Sequence, residues 1–299
     1  MVRVRMPSVD DFENDSTLLN FLSDQLLGGN LTILLGAGIS VYFGLPSWRE
    51  LIERLFASKR STVPNIDQKR QAEYFRNKFY PDDKLGFLNA VKSALYQDVK
   101  ADFDVMRGHT TLAAISSLVM ASKRGSASEV ITFNWDDLLE IYLEYHGFVT
   151  SSIGEEHHWS GNSDVTVLHP HGLLPLSDRR RPTHDIVFDQ LSYTEVIGNQ
   201  ASPWRQLLLS IMRAHTCLFI GLSGNDDNLD SLLMACKQTH ASVEEGSPYW
   251  GIAFTTSNDE PTTMFWKSRG VFLKQISDYD HELPQFLFQI CQIAASKRA

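Results

Sequence analysis

Leu31-Thr-Ile-Leu-Leu-Gly-Ala-Gly-Ile-Ser-Val-Tyr-Phe-Gly-Leu-Pro-Ser-Trp-Arg49 is the stretch whose reading decides the fold. Its first five residues, Leu31 to Leu35, form an apolar run of the length and character of a buried parallel strand. The run stops at Gly36-Ala37-Gly38, where two glycines around an alanine let a phosphate approach the backbone with no Cβ in the way. Gly44 and Pro46 then mark a turn, Ser47 is placed to cap a helix, and Trp48 to Leu55 has helical spacing. A strand, a glycine loop and a helix describe a dinucleotide cradle. They equally describe a tight β–α turn, because the third glycine of the full fingerprint is absent.

Working outward, Asp10 to Leu27 predicts a helix, with Leu18, Leu19, Leu22 and Leu26 on one stripe and Gly28-Gly29-Asn30 closing it. From Ala57 to about Val105 the chain is charged, aromatic-studded and helical, clearest over 68–79 and 85–99. This reads as a helical insertion at about 57–107 in a single domain spanning 1–299, packed over the mouth of the first strand. An apolar helix is expected over 109–122. Strands and helices then alternate: strands at 130–133, 165–168, 185–188, 217–220, 249–254 and 271–275, and helices at 136–145, around Tyr193, and at 203–214, 228–237, 261–267 and 282–294. The alternation predicts an α/β fold, a Rossmann-like doubly wound parallel sheet.

In such sheets ligands sit at the carboxyl ends of strands. Four strand ends carry polar residues beside glycine or proline: Gly36 to Ser40; Asn134-Trp135-Asp136-Asp137; His169-Pro170-His171-Gly172; and Gly221-Leu222-Ser223-Gly224-Asn225-Asp226-Asp227-Asn228. Each has a structural reading beside the functional one. Asn134 or Asp136 can cap the next helix, His171 can be a hydrogen-bonded core histidine, and 221–228 can be a capped turn. All four in one chain, in this order, point to one nucleotide site.

That order resembles the sirtuin (Sir2) family, and within it the Sir2-like NAD-hydrolase domains of bacterial antiphage defence systems. Gly36-Ala37-Gly38-Ile39-Ser40, then Gly44-Leu45-Pro46-Ser47-Trp48-Arg49, is similar to the family's opening motif, with Ser47 and Trp48 in place of aspartate and phenylalanine. Asn134-Trp135-Asp136 resembles its asparagine-isoleucine-aspartate, His171-Gly172 its histidine-glycine, and Gly221-x-Ser223-x-x-Asp226 its ribose-contacting segment in the defence-type spelling. The resemblance spans about 31–275. It implies NAD+ as substrate, contacted by Gly36, Ala37, Gly38, Ser40, Pro46, Trp48, Gly221, Ser223 and Asp226, with Asn134, His171 and Asp136 as the catalytic group.

The chemistry is coherent. Cleavage of the bond between ribose and the cationic nicotinamide passes through an oxocarbenium-like state, as in glycoside hydrolysis. A histidine titrating near neutrality can take a proton from ribose or water, an asparagine can hold a hydroxyl or water without adding charge, and the glycine loop with the neighbouring helix N-terminus can hold pyrophosphate. Asp136 would border the nicotinamide side. His157, His158, His169 and His171 suggest a metal cluster instead, but no cysteine or well-spaced carboxylate completes a set.

Composition narrows the partners. A formal net charge of −9 over 299 residues leaves no electrostatic footprint for nucleic acid or anionic membrane. Three scattered cysteines suit a reducing cytoplasm, and neither a signal peptide nor a spanning apolar run is expected. The two cysteine pairs of the sirtuin zinc module are missing, since no cysteine precedes Cys217. NAD+ hydrolysis to nicotinamide and ADP-ribose is therefore expected ahead of protein deacylation, ADP-ribosyl transfer or a non-catalytic NAD-binding regulatory module. The resemblance also implies a homo-oligomer, a separate sensor or ATPase partner, or both, and at this length the chain is expected to be a fragment or a subunit that needs one.

Overall fold

The computed structural model describes residues 12–120, 126–127, 129–155, 162–224, 227–240 and 249–297. Seven parallel strands form one sheet: β1 (Leu31–Leu35), β2 (Glu129–Thr132), β3 (Thr150–Ile153), β4 (Val165–Leu168), β5 (Thr216–Ile220), β6 (Gly251–Thr255) and β7 (Val271–Gln275). Their spatial order is β3-β4-β2-β1-β5-β6-β7. β1 is central, with Ile33 paired to Val130 on one side and to Leu218 on the other. The chain leaves β1 toward β2, β4 and β3, then returns to build β5, β6 and β7 on its other flank. The crevice of such an open sheet lies outside the carboxyl ends of its central strands, where the order reverses.

Successive β1 side chains point to opposite faces, and both faces are covered. Leu31, Ile33 and Leu35 join a core with Leu22 and Leu26 of α1 (Asp15–Gly28), Leu112, Ile115 and Leu118 of α6 (Thr110–Met120), and Leu287 and Ile290 of α12 (Glu282–Lys297). Leu34 faces a second core with Leu208 and Met212 of α9 (Pro203–Ala214) and Leu232 and Leu233 of α10 (Asp227–His240). This is the doubly wound α/β architecture.

Between β1 and β2 run α2 (Trp48–Ser58), α3 (Gln68–Phe79), α4 (Lys84–Leu95), α5 (Phe103–Arg107) and α6. Ser47 caps α2 in a reciprocal box, its Oγ accepting from Glu50 N while its own N–H donates to the Glu50 carboxylate. Phe75 packs on Phe56 at 5.2 Å between ring centroids, seating α3 against α2. The Tyr96 hydroxyl donates to Leu174 O, tying the end of α4 to the loop after β4.

Three local expectations change. Residues 185–188 are not a strand: their apolar side chains are buried because Phe188 packs among Trp48, Phe87 and Trp135. β3, which the sequence reading lacks, is an edge strand of mostly half-buried Thr and Ser. α7 (Leu138–Tyr145) begins two residues after Asp136, whose Oδ1 accepts from Leu138 N at the helix start while its Oδ2 accepts from Ser40; the Asp137 carboxylate caps nothing and is taken up by Leu176 N. The short α8 (Gln190–Tyr193) and α11 (Glu260–Ser268) complete the set. Among the described residues no helix is long and apolar enough to cross a membrane.

Candidate functional site

The loop after β1 lies directly on the loop after β5. Gly36 N donates to Ile220 O and Gly38 N to Gly221 O, each at 3.0 Å. A Cβ on Gly36 would stand 2.5 Å from Gly221 O, and one on Gly38 would stand 2.8 Å from Gly221 Cα. Gly221 itself has φ of +71°, which an L side chain rarely adopts. The glycines are therefore required by backbone packed on backbone. The chain beyond them also differs from a simple strand-to-helix turn: two single turns, Ala37–Ile39 and Val41–Phe43, precede α2. The helix N-terminus on this side is that of α2, brought to the same opening by Pro46 and Trp48.

Ser40 links that loop to the one after β2. Its hydroxyl donates to Asp136 Oδ2 at 2.9 Å, and Asn134 Nδ2 donates to Ser40 Oγ at 3.1 Å and to Gly36 O at 3.0 Å. Both amide hydrogens of Asn134 are thus engaged, and its Oδ1 has no partner among the described residues. Asp136 is buried, and burial pushes its carboxyl up to about 6 against the Ser40 and Leu138 hydrogen bonds that favour the ionised form. Asp137 does another job: it accepts from Leu176 N at 2.7 Å and pairs with Arg180 at 2.9 Å, pinning the loop after β4.

His171 is buried, with its ring 4.9 Å from Phe133 and 5.4 Å from Tyr193. Its carbonyl accepts from Val187 N, so the extended segment after the loop holds it from behind. Gly172 comes next at φ +89°, where a Cβ would stand 2.6 Å from Asp185 O. That turn is what makes a glycine necessary after the histidine. His169 faces away from any metal set: Nε2 meets Glu140 at 2.8 Å and Nδ1 meets Asn134 O at 3.1 Å. Among the described residues no group of three or more His, Cys, Asp or Glu side chains could hold a metal ion. His157 and His158 lie outside the described residues.

These strand ends open on one cleft of about 590 Å³, within the usual range for small-molecule sites. Gly36, Ala37, Gly38, Ser40, Pro46, Trp48, Asn134, Asp136, His171, Gly221 and Ser223 all line it. Asp226 lies outside the described residues. The sequence reading did not bring Gln68 and Lys69 from the start of α3 or Tyr193 from α8 to the cleft, and it named Trp135 only within its motif. Lys69 Nζ sits 4.9 Å over the Tyr193 ring, closing the cleft opposite the glycine loop. The indole Nε1 of Trp135 is buried without a hydrogen-bond partner among the described residues. Glu140, which ends the run Thr132-x-Asn134-x-Asp136-Asp137-Leu138-Leu139-Glu140, was given no role by the sequence reading. Its signal is a carboxylate inside the apolar run Leu138-Leu139-Glu140-Ile141-Tyr142-Leu143, where a solvated residue does not belong.

Residues 128–273 match the SIR2-like domain family. Over 228 residues it is 26% identical to the NAD(+) hydrolase ThsA of Acinetobacter baumannii (strain 532279), covering 74% of this chain and 42% of that protein. The chain thus spans less than half the length of that curated relative. Among solved structures, a Sir2 homolog–NAD complex superposes with a TM-score of 0.55 at 15% identity, covering 93% of this chain and 94% of that one. At that identity the likeness establishes the fold, and with it the Rossmann-like reading of the sheet.

Proposed function

We propose that this chain hydrolyses NAD+ at the bond between nicotinamide and ribose, giving nicotinamide and ADP-ribose. The observation that carries the reading is that Asn134 and His171, from the ends of β2 and β4, line one cleft with the Gly36–Gly38 and Gly221–Ser223 loops. The ThsA relative is named for this activity, and the SIR2-like domain supports an NAD-directed site.

In this reading pyrophosphate and ribose lie along the two crossed loops, with Gly36, Ala37, Gly38, Pro46 and Trp48 on one side and Gly221 and Ser223 on the other. Asn134 offers Oδ1, an acceptor, to a ribose hydroxyl or to water. His171 takes a proton from the attacking water as its oxygen bonds to the anomeric carbon. The carbon–nitrogen bond breaks with its electron pair going to the pyridinium nitrogen, so nicotinamide leaves neutral. Asp136, behind Ser40, borders the nicotinamide end and holds Ser40 and Asn134 in place.

The chain acts as one domain with a helical insertion at about 57–107, whose Gln68 and Lys69 border the entrance as a lid. We assign it to a cytoplasmic, NAD-depleting defence effector, with low but measurable turnover until it assembles as a homo-oligomer or meets a sensor or ATPase partner. The test is chromatography of products after incubation with NAD+, with and without an acetylated peptide. Nicotinamide release independent of the peptide is expected, whereas strict peptide dependence with O-acetyl-ADP-ribose as product would assign a deacylase.

A further inference from the structure

We propose that His169 is a positioning residue for Asn134, acting as a doubly protonated imidazolium whose Nδ1–H holds the Asn134 carbonyl and whose Nε2–H is held by Glu140. The proposal rests on the hydrolase reading for its kinetic consequence, and on geometry alone for the state of the ring.

His169 and Glu140 are both essentially sealed from solvent, at 0% and 1% exposure. The two partners of the ring can only accept. Asn134 O is a backbone carbonyl at 3.1 Å from Nδ1, and Glu140 Oε1 is 2.8 Å from Nε2. A neutral imidazole has one N–H and would leave a lone pair against one of these oxygens. Glu140 would have to carry a proton on Oε1, the oxygen that also accepts from Ser152 Oγ at 2.6 Å, and the nearby Arg180 guanidinium favours the carboxylate instead. Two N–H groups on His169, facing a carboxylate and a carbonyl, satisfy every atom.

The surrounding charges agree. Burial opposes ionisation of Glu140, yet its carboxyl is drawn below the ordinary range by the His169 charge and hydrogen bond and by Arg180. Burial likewise opposes the His169 charge, and Glu140, the Asn134 carbonyl and Asp136 together raise its pKa. Arg180 is itself fixed by Asp137, Glu144, Thr150 and Ser152. The groups facing the pair are thus Asp136 and Asp137 before α7, Glu140 on α7, and Arg180 from the loop after β4.

The consequence is mechanical. His169 precedes His171 by two residues on the loop after β4, while Asn134 belongs to the loop after β2. One ring therefore registers one loop on the other, and misplacement of about 1 Å in such a constellation typically costs about 10²-fold in rate. His169→Gln can keep a contact to Glu140 through its longer amide but lacks the Nδ1–H that reaches Asn134. Glu140→Gln can donate to Nε2, which leaves a neutral ring still carrying Nδ1–H for Asn134.

The experiment uses the full chain. Nitrogen-15 NMR of histidine-labelled protein, assigned with His169→Gln, should show protons on both ring nitrogens of His169 at a pH where a free imidazole has already lost one. His169→Gln should lower kcat for nicotinamide release about 10²-fold with little change in KM. It should also speed amide hydrogen exchange over 133–138, while Glu140→Gln should leave a single proton on the His169 ring, at Nδ1. A wild-type ring protonated on one nitrogen, or a His169→Gln variant with unchanged exchange over 133–138, overturns the proposal. If the wild-type chain releases no nicotinamide, the hydrolase reading falls, and the ring-proton and exchange readouts still decide the role of His169.

Discussion

Ser40 Oγ donates to Asp136 Oδ2 at 2.9 Å, and this bond joins the loop after β1 to the loop after β2. The same oxygen accepts from Asn134, so the glycine loop and the asparagine share one hydroxyl. Ser40→Ala removes both contacts at a buried position, and unmet buried hydrogen bonds cost about 1–3 kcal/mol. A lower melting temperature and slower nicotinamide release are expected together, read by calorimetry and a product assay. A variant with wild-type stability and rate would show that the hydroxyl bridges nothing of consequence.

Gly38→Ala tests the crossed loops. Its Cβ would meet Gly221 Cα at 2.8 Å, and backbone cannot swing aside as a side chain can. Overpacking of this kind typically costs about 1–3 kcal/mol. The variant should therefore lose stability as well as NAD+ affinity, which thermal unfolding and titration calorimetry measure separately. Loss of affinity at full stability would show that the glycine makes room for phosphate rather than for the neighbouring loop.

Asp136→Asn should change how stability depends on pH. In the folded chain the carboxyl titrates at about 6, above its unfolded value, so the folded state keeps a proton that the unfolded state has released. The stability this group contributes is fully present below about pH 4 and is lost as pH rises through about 6. The asparagine variant should therefore gain on wild type between about pH 4 and 7, by up to roughly 3 kcal/mol. Denaturant melts at the two pH values give the difference, and a gap that does not widen with pH contradicts the assignment.

Arg76 ties α3 to the segment after the His171 loop, at 3.1 Å to Asp189 and 3.3 Å to Asp185. Asp189 is nearly buried, so Arg76→Ala leaves a carboxylate short of its cation. Faster hydrogen exchange over 68–79 and 185–193 is expected, with a changed KM for NAD+ if this helix borders the entrance. Unaltered exchange in both segments would dissociate α3 from the cleft.

Legibility from sequence tracked the physics of each segment. β1, β4 and β7 were readable because each is a short apolar run bounded by glycine or polar turns, in a chain that alternates such runs with helical patterns. β3 was not, because an edge strand with half-buried faces tolerates Thr and Ser. Ile186-Val187-Phe188 looked like a strand because burial, whether in a sheet or against Trp48 and Trp135, selects the same residues. In the cleft, short motifs at strand ends pointed to the loops, while Lys69 and Tyr193 arrive from helices with no motif of their own. Glu140 and His169 pair across 29 positions, a contact that only the folded chain reveals.

The central claim is that Asn134 and His171 break the nicotinamide–ribose bond of NAD+. The most direct measurement tracks nicotinamide release from NAD+ by wild type, His171→Ala and Asn134→Ala, with NAD+ binding measured by calorimetry on the same samples. The account predicts peptide-independent release by wild type and a loss of about 10²–10⁴-fold in His171→Ala, with the fold and most of the affinity kept in both variants. Undiminished release by His171→Ala would contradict it.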